Sequence, residues 1–439
     1  MDDVRQVYFD HAATTPTRPE VIAAMLPYLE HRWGNPSSLH ATGVRALEGI
    51  ERAREHLARF LHASADEVVF TGSGTEADNH ALLGVAHALG HRGDHIITSA
   101  IEHHAVLHTA AHLESLGLRI TYLPVDGTGL VDPDAVRAAL TDRTILVSIM
   151  HANNEIGTLQ PIAEIGATCR ARGVLFHTDA VQTVGHVPID VHDMNIDLLS
   201  LSAHKLYGPK GIGALFIREG AAISSYVHGG GQERSRRAST ENVAGIVALG
   251  EAARLAGEEM EQESAHASAL RGRIIHGLLD RVPDLILTGH PTRRLPNSAS
   301  FCVPGIEGEA LLLDRSIQTR ICCDNGSPPG CRSRRPLPGC GACSSWFASL
   351  DRPLLGELHR KSQQLPWADR LLNPGIGRDP RVVCRSLRGE LEAGCGAYPR
   401  QDDDRYVLCL RRGAQPVGEP HTRVGLLHHQ VEHNQVEVL

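Results

Sequence analysis

The chain has 439 residues, a hydrophobic fraction of 42% and a formal net charge of −8. This length predicts a large core divided between two domains, and the lack of a basic excess argues against a nucleic-acid partner. No apolar run reaches the roughly 18 residues of a membrane helix. The start, MDDVRQVYFD, lacks the basic and apolar segments of a signal peptide, so we expect a cytoplasmic protein.

Residues 18–62 are predicted to be helical, with Pro19 near a helix start. After them, apolar and β-branched runs alternate with helical stretches, and a long helix is predicted over residues 242–280. The predicted strands are residues 67–72, 95–99, 119–125, 144–150, 174–180, 198–203 and 213–218. This alternation predicts an α/β fold with a mostly parallel, seven-stranded sheet covered by helices.

A Gly-rich turn follows the first of these predicted strands. Residues 71–79 have the sequence TGSGTEADN and open a helical pattern that runs to Leu89. Small residues let backbone N–H groups approach an anion, and the positive end of the helix dipole adds to the attraction. Gly74 and Thr75 are therefore candidates for a phosphate site. The spacing is neither a Walker A loop nor GxGxxG, and a simple tight turn is the alternative.

Lys205 lies at the end of another predicted strand, in the segment SAHK of residues 202–205. Open α/β sheets bind their ligands at the carboxyl ends of the strands. Burial can lower the pKa of a lysine and allow it to form a Schiff base. A surface lysine beside the glycine turn YGPKGIG is the alternative.

Three further polar clusters also follow predicted strands. Asp179 can pair with a pyridinium nitrogen and keep it protonated, although an aspartate at a helix N-cap is a common alternative. His103 can stack on a flat ring or exchange protons, with a hydrogen-bonded structural histidine as the alternative. Asn154 offers an amide to a ring hydroxyl. Four such clusters at four strand ends favour one shared cofactor site.

Taken together, the motifs of residues 7–313 resemble the class V aminotransferases, and among them the cysteine desulfurases of the iron–sulfur and nitrogen-fixation type. The motifs are YFDHAATTP (8–16), GNPSSLH (34–40), TGSGTEADN (71–79), IEHHAV (101–106), HANNEIG (151–157), FHTDAVQ (176–182), SAHKLYGPKGIG (202–213), GGGQE (229–233), RASTEN (237–242) and PGIEGEALLL (304–313). The resemblance implies pyridoxal 5′-phosphate as cofactor and two domains. The large, cofactor-binding domain would span residues 16–258, and a smaller α+β domain would span residues 259–327 together with residues 1–15.

The same resemblance implies a role for each motif. Lys205 would hold the cofactor as a Schiff base, His103 would stack on its ring and shuttle protons, and Asp179 would pair with the ring nitrogen. The residues implied at the ring hydroxyl are Asn154 and Gln182, those at the phosphate are Gly74, Thr75, Ser202 and His204, and Ala203 is counted with the cofactor-binding residues. Thr240 would reach the phosphate of the other subunit, which requires a homodimer. Its neighbour Ser239 stands where the family usually has glycine.

The resemblance also implies the reaction. L-cysteine would leave its sulfur on a protein cysteine as a persulfide and depart as L-alanine, and an iron–sulfur scaffold protein would accept the sulfur for nitrogenase or for general cluster assembly. Cys323, in TRICCDNGS (319–327), is the predicted persulfide residue and a transient iron–sulfur ligand, with Cys322 and Cys331 as alternatives. A thiolate in this role needs exposure. Selenocysteine lyase, class V aminotransferase and inactive cofactor-binding dimer are the alternative functions.

The pattern changes after about Asp314. Residues 328–439 are rich in Arg, Pro, Gly and Cys and show no sustained period, so irregular structure is predicted for this C-terminal region. The arginine that the family uses for the substrate carboxylate is not recognisable there. Our hypothesis is that the region is an out-of-frame translation, which an unambiguous gene sequence encoding it as written would contradict. The pair Cys340 and Cys343 lacks the partners of a zinc site.

Overall fold

A seven-stranded sheet forms the centre of the computed structural model, which describes residues 7–304, 321–322 and 343–349. The strands are β1 (Val7–Tyr8), β2 (Val68–Thr71), β3 (His95–Ser99), β4 (Arg119–Leu123), β5 (Thr144–Ser148), β6 (Leu175–Asp179), β7 (Leu198–Ser202), β8 (Gly213–Ile217), β9 (Ile286–Leu287), β10 (Ser298–Pro304), β11 (Ile321–Cys322) and β12 (Cys343–Ser349). The central sheet has the order β2-β8-β7-β6-β5-β3-β4. Its pairs are parallel from β4 to β7, whereas β8 runs antiparallel to β7 and β2. The predicted α/β fold with a mostly parallel sheet is confirmed.

Helices connect these strands. They are α1 (Pro19–Glu30), α2 (Ala41–Leu61), α3 (Gly74–Leu89), α4 (His104–Ser115), α5 (Pro133–Ala139), α6 (Ile162–Arg172), α7 (Gln232–Ser235) and α8 (Val243–Leu279), with short 3₁₀ turns at Ala65–Glu67 and Ala203–Lys205. The prediction of helix over residues 18–62 is wrong for residues 31–40, which separate α1 from α2. Pro36 has no N–H for a helix. A Cβ at Gly34 would lie 2.3 Å from the Thr42 carbonyl oxygen, so the chain passes too close there for a larger residue.

Both faces of the central sheet are covered. One hydrophobic cluster packs α2, α6 and α8 against the sheet around Phe70, Phe176 and Phe216. A second packs α3 and α4 on the sheet through Leu82 and Val106. Burial on both faces explains why β5, β7 and β8 are buried along their whole length and have near-continuous apolar sequences. None of the described helices combines the length and apolar content needed to cross a membrane.

Outside the central sheet, β10 pairs antiparallel with β9 and β12, and β1 pairs parallel with β11. Strand β12 belongs to residues 328–439 and differs from the irregular structure predicted there. Its sequence, CSSWFAS, contains two aromatic residues, which favour strands. The division into domains 16–258 and 259–327 stays a prediction, and the rest of the C-terminal region lies outside the described residues.

Candidate active site

The carboxyl ends of β3, β5, β6 and β7 lie side by side and contribute to one cavity. His103 follows β3, Asn154 follows β5, Asp179 ends β6, and β7 leads directly to Lys205. The cavity has a volume of about 410 Å³ and is lined by Ala12, Ala13, Ser73, Gly74, Thr75, Asp78, His103, Met150, Asn154, Asp179, Val181, Gln182, Ser202, His204 and Lys205. It occupies the edge of the sheet at which α/β proteins bind ligands.

One end of the cavity is formed by the N-terminus of α3. Ser73 is the N-cap, and its hydroxyl accepts a hydrogen bond from the N–H of Glu76 at 3.1 Å. The first N–H groups of a helix have no partner within the helix, which suits Gly74 and Thr75 to an anion. A Cβ at Gly74 would lie 2.7 Å from Cγ2 of Val181, so a larger residue would displace this wall.

Lys205 is held in the cavity by the N-terminal segment of the chain. Its Nζ donates hydrogen bonds to the carbonyl oxygens of Ala12 and, at 2.9 Å, of Ala13. Gln182 Nε2 donates to the same Ala12 oxygen at 3.0 Å. These contacts place the amine and the Gln182 amide beside one another, although they lie 23 positions apart in the sequence.

His204 fixes the turn that carries Lys205. The Thr15 N–H donates to the His204 carbonyl oxygen at 2.9 Å, and His204 Nδ1 lies 3.1 Å from Thr14 Oγ1. Burial and the positive charges of Lys205 and Lys210 lower the pKa of His204 to about 4. The His204 ring is therefore neutral at pH 7 and can offer a hydrogen bond to an anion in the cavity.

Asp179 and His103 both line the cavity, and a carboxylate oxygen of Asp179 lies within 4.8 Å of a ring nitrogen of His103. Burial raises the pKa of Asp179, and the charges of His103 and Lys205 oppose this shift. Burial also lowers the pKa of His103. His103 Nδ1 accepts the N–H of Ala105 at 3.1 Å, so the neutral ring carries its proton on Nε2.

Asn154 reaches the cavity from a turn that its neighbour stabilises. Asn153 Oδ1 accepts the N–H groups of Glu155 and Ile156, each at 2.9 Å. Asn153 Nδ2 donates to the carbonyl oxygen of Ile101 at 2.9 Å, which ties this turn to the end of β3. The buried Asn153 is thus the structural member of the pair, and Asn154 is the one that lines the cavity.

Asp78 also lines the cavity, and the sequence interpretation did not single it out. It is 1% exposed, and burial together with the charge of Asp179 raises its pKa well above the usual range. His177 Nε2 lies 3.6 Å from its Oδ1, but burial lowers the pKa of His177 to about 3, so that ring is neutral. Asp78 stands one helical turn after Gly74 and hence on the same face of α3, which is the signal that could have identified it.

Asp78, His103 and Asp179 could in principle hold a metal ion, since one ligand atom of each lies within 4.8 Å of the others. Two ionised carboxylates would be needed for strong binding of a divalent cation. The raised pKa of Asp78 disfavours its ionised form. The donor set therefore does not favour a metal centre.

Most residues predicted for the site line this cavity. They are Gly74, Thr75, His103, Asn154, Asp179, Gln182, Ser202, His204 and Lys205. Ala203 is fully buried beside the cavity wall, and Thr240 is exposed and is not among the lining residues of its own chain. Cys323 lies outside the described residues. The chemical role of each residue stays a prediction.

Comparisons with known proteins give a consistent result. Residues 7–328 match the family described as aminotransferase class-V. The chain is 55% identical to a cysteine desulfurase IscS of Clostridium botulinum over 312 residues. The matched region covers 71% of this chain and 79% of that protein. It is also 55% identical to a cysteine desulfurase IscS of Methanosarcina thermophila, over 70% of this chain and 76% of that one. Among solved structures, a NifS-like protein is similar with a TM-score of 0.74 and 34% identity, over 82% of this chain and all of the other.

Proposed function

The chain belongs to the class V aminotransferase family, and we propose that it is a pyridoxal 5′-phosphate-dependent cysteine desulfurase that converts L-cysteine to L-alanine and an enzyme persulfide. The observation that carries the proposal is the position of Lys205 in one cavity with Asp179, His103 and the N-terminus of α3. The 55% identity to cysteine desulfurases of two organisms supports the choice of reaction within the family.

The described residues fit the cofactor. The phosphate matches the α3 N-terminus, where Gly74 leaves no room for a Cβ and backbone N–H groups can approach an anion. Burial raises the pKa of Asp179, and a protonated ring nitrogen would supply a positive charge that favours the ionised carboxylate. Lys205 Nζ reaches the same space from β7. Each of these three parts of the cofactor therefore has a matching protein group: the N-terminus of α3 for the phosphate, Asp179 for the ring nitrogen and Lys205 for the aldehyde.

The bound cofactor supplies an electron sink for the α-carbon of the substrate. Lys205 is the residue that would hold the cofactor covalently through its amine. The same amine would then remove the α-proton of the substrate cysteine. His103 holds a proton on Nε2 in its neutral form, because Nδ1 accepts the Ala105 N–H. We assign to His103 the proton transfer to the β-carbon when the carbon–sulfur bond breaks, which it makes from its protonated imidazolium form because a neutral imidazole is too weak an acid.

A protein thiolate completes the reaction. It forms a sulfur–sulfur bond with the substrate sulfur while the bond from that sulfur to the β-carbon breaks, and the β-carbon takes the proton that gives alanine. We assign this role to Cys323. The buried cysteines of the described residues, Cys169 and Cys302, do not suit it, since burial raises the pKa of Cys169 to about 12 and both lack the exposure that a reactive thiolate needs.

The functional unit in this proposal is a homodimer. Thr240 is exposed and does not line the cavity of its own described chain, as expected if it serves the partner's phosphate site. The segment from α1 to the start of α2 exposes large apolar side chains to solvent. Leu29 is 60% exposed, Trp33 is 69% exposed and Leu39 is 97% exposed. Such a patch is typical of a protein–protein interface.

Subunit complementation tests this arrangement. Lys205→Ala and Thr240→Ala chains are co-expressed with different tags, and the mixed dimer is purified. One of its two sites would carry both substitutions and the other neither, so about half of the wild-type activity is expected. A mixed dimer as inactive as the two parents would contradict an exchange of Thr240 between subunits.

We further propose an iron–sulfur scaffold protein as the sulfur acceptor, for general cluster assembly or for nitrogenase. The test of the proposed function is the formation of alanine and sulfide from cysteine in the presence of a thiol reductant, with Cys323→Ser as the control. A class V aminotransferase would not need Cys323 and would keep its activity in this variant. Cofactor absorbance without alanine release would indicate an inactive cofactor-binding dimer.

A further inference from the structure

Helix α4 carries a row of exposed histidines beside the cavity. His104, His108 and His112 are spaced four residues apart and are all exposed. Residues four apart lie on the same face of a helix, one turn above the other. The row therefore presents imidazole rings to solvent at every turn of the helix.

The first two of these rings are close together. The ring centroids of His104 and His108 are 4.9 Å apart, with an angle of 31° between the ring planes. Within the described residues neither ring has a hydrogen-bond partner, so their ring nitrogens are open to a ligand. His112 has the same spacing from His108, yet the structure records no ring contact between that pair within the described residues.

We propose that His104 and His108 bind a divalent transition-metal ion at the surface of α4. Two imidazoles at i and i+4 on one helix converge on one ion in the helical metal sites of zinc enzymes. Neutral imidazole is a preferred ligand of nickel, copper and zinc. The pair contains no carboxylate, whereas calcium and magnesium sites are built from oxygen ligands.

The site lies next to the cavity but uses none of its lining residues. The His103 ring, which lines the cavity, has its centroid 6.1 Å from that of His104, which does not line it. With two protein ligands, the ion keeps coordination positions for water or a small molecule. Its binding is independent of the proposed desulfurase reaction and can be measured without an activity assay.

Nickel binding tests the site. The full-length, cofactor-loaded protein is prepared without a histidine tag, its thiols are alkylated so that they do not compete, and it is titrated with Ni²⁺ by calorimetry. The expected result is one Ni²⁺ ion fewer per chain in His108→Ala than in wild type. His112→Ala is the matched control and should keep the wild-type stoichiometry.

Two further readouts separate binding from a change in folding. Far-UV circular dichroism should be the same for the three proteins, and Ni²⁺ should raise the melting temperature of wild type and His112→Ala but not of His108→Ala. Equal Ni²⁺ stoichiometry in wild type and His108→Ala, or a loss in His112→Ala as large as in His108→Ala, would overturn the proposal.

Discussion

A buried ion pair fastens the segment that carries Thr240. Arg54 of α2 donates from Nη1 and Nη2 to the two carboxylate oxygens of Glu233, each at 2.9 Å. Their side chains are 4% and 3% exposed. Glu233 also accepts the Phe70 N–H at 2.9 Å, and Arg54 donates to the Val68 carbonyl oxygen at 2.8 Å. The pair thus joins residues 229–241 to α2 and β2.

Replacing Glu233 by Ala should destabilise the protein strongly. The substitution leaves the Phe70 N–H buried without its acceptor and removes the buried carboxylate from the Arg54 guanidinium. Of its hydrogen-bond partners in the described residues, Arg54 then keeps only the Val68 carbonyl oxygen and the exposed Glu51. Removing one partner of a buried ion pair costs about 3–5 kcal/mol. Each kcal/mol lowers the melting temperature by about 2–4 °C in a domain of roughly 150–250 residues, so we expect a decrease on the order of 10 °C.

Equilibrium urea unfolding of the purified protein measures this loss. The matched control is Glu258→Ala, which removes a partner of Arg254 from an exposed pair at 2.7 Å on α8. Exposed pairs of this kind contribute about 0.3–0.5 kcal/mol. If Glu233→Ala cost no more than this control, the buried pair would not anchor the segment, and the reasoning would be refuted.

Three other predictions concern single residues. His103→Ala should lower kcat/KM for cysteine about 10²–10⁴-fold, the usual contribution of a general acid or base. The control is that the variant keeps the cofactor absorbance of wild type. An unchanged kcat/KM would contradict the role of His103 in proton transfer. Ser239 has φ of 102°, a backbone conformation that costs a non-glycine residue about 1–3 kcal/mol, so Ser239→Gly should raise the free energy of unfolding by about 1 kcal/mol in urea, and a decrease would contradict the strain. Burial raises the pKa of Glu102 from its usual 4.5 to about 8, so its contribution to stability is full below pH 4.5 and is lost as the pH rises to 8. Glu102→Gln should flatten this pH dependence of the unfolding free energy, and an equally steep profile would exclude Glu102 as its source.

The sheet could be predicted from the sequence because its strands are buried on both faces. Residues 144–148 and 213–217, for example, are apolar runs that are buried throughout, and each observed strand lies within its predicted range. The break between α1 and α2 was missed. The helical pattern on both sides of it is strong, whereas the reason for the break is local, in the close approach of Gly34 to Thr42.

The site could be predicted where its residues end a strand. Asp179 and Lys205 follow apolar runs directly, so their position at the carboxyl edge of the sheet could be inferred from their own segments. The place of Asp78 in the cavity could not be predicted in this way, because Asp78 lies within α3 and comes close to Asp179 only in the folded chain. The backbone strain at Ser239 likewise depends on a φ angle that a single sequence does not reveal.

The central claim is that Lys205 holds the cofactor and drives the release of alanine from cysteine. Its most direct test compares wild type with Lys205→Ala and with Lys210→Ala, an exposed lysine of the same loop. Visible absorbance of the Schiff base and alanine formation from cysteine are measured on the same samples. Both signals should disappear in Lys205→Ala and persist in Lys210→Ala, whereas alanine formation by Lys205→Ala at the wild-type rate would contradict the claim.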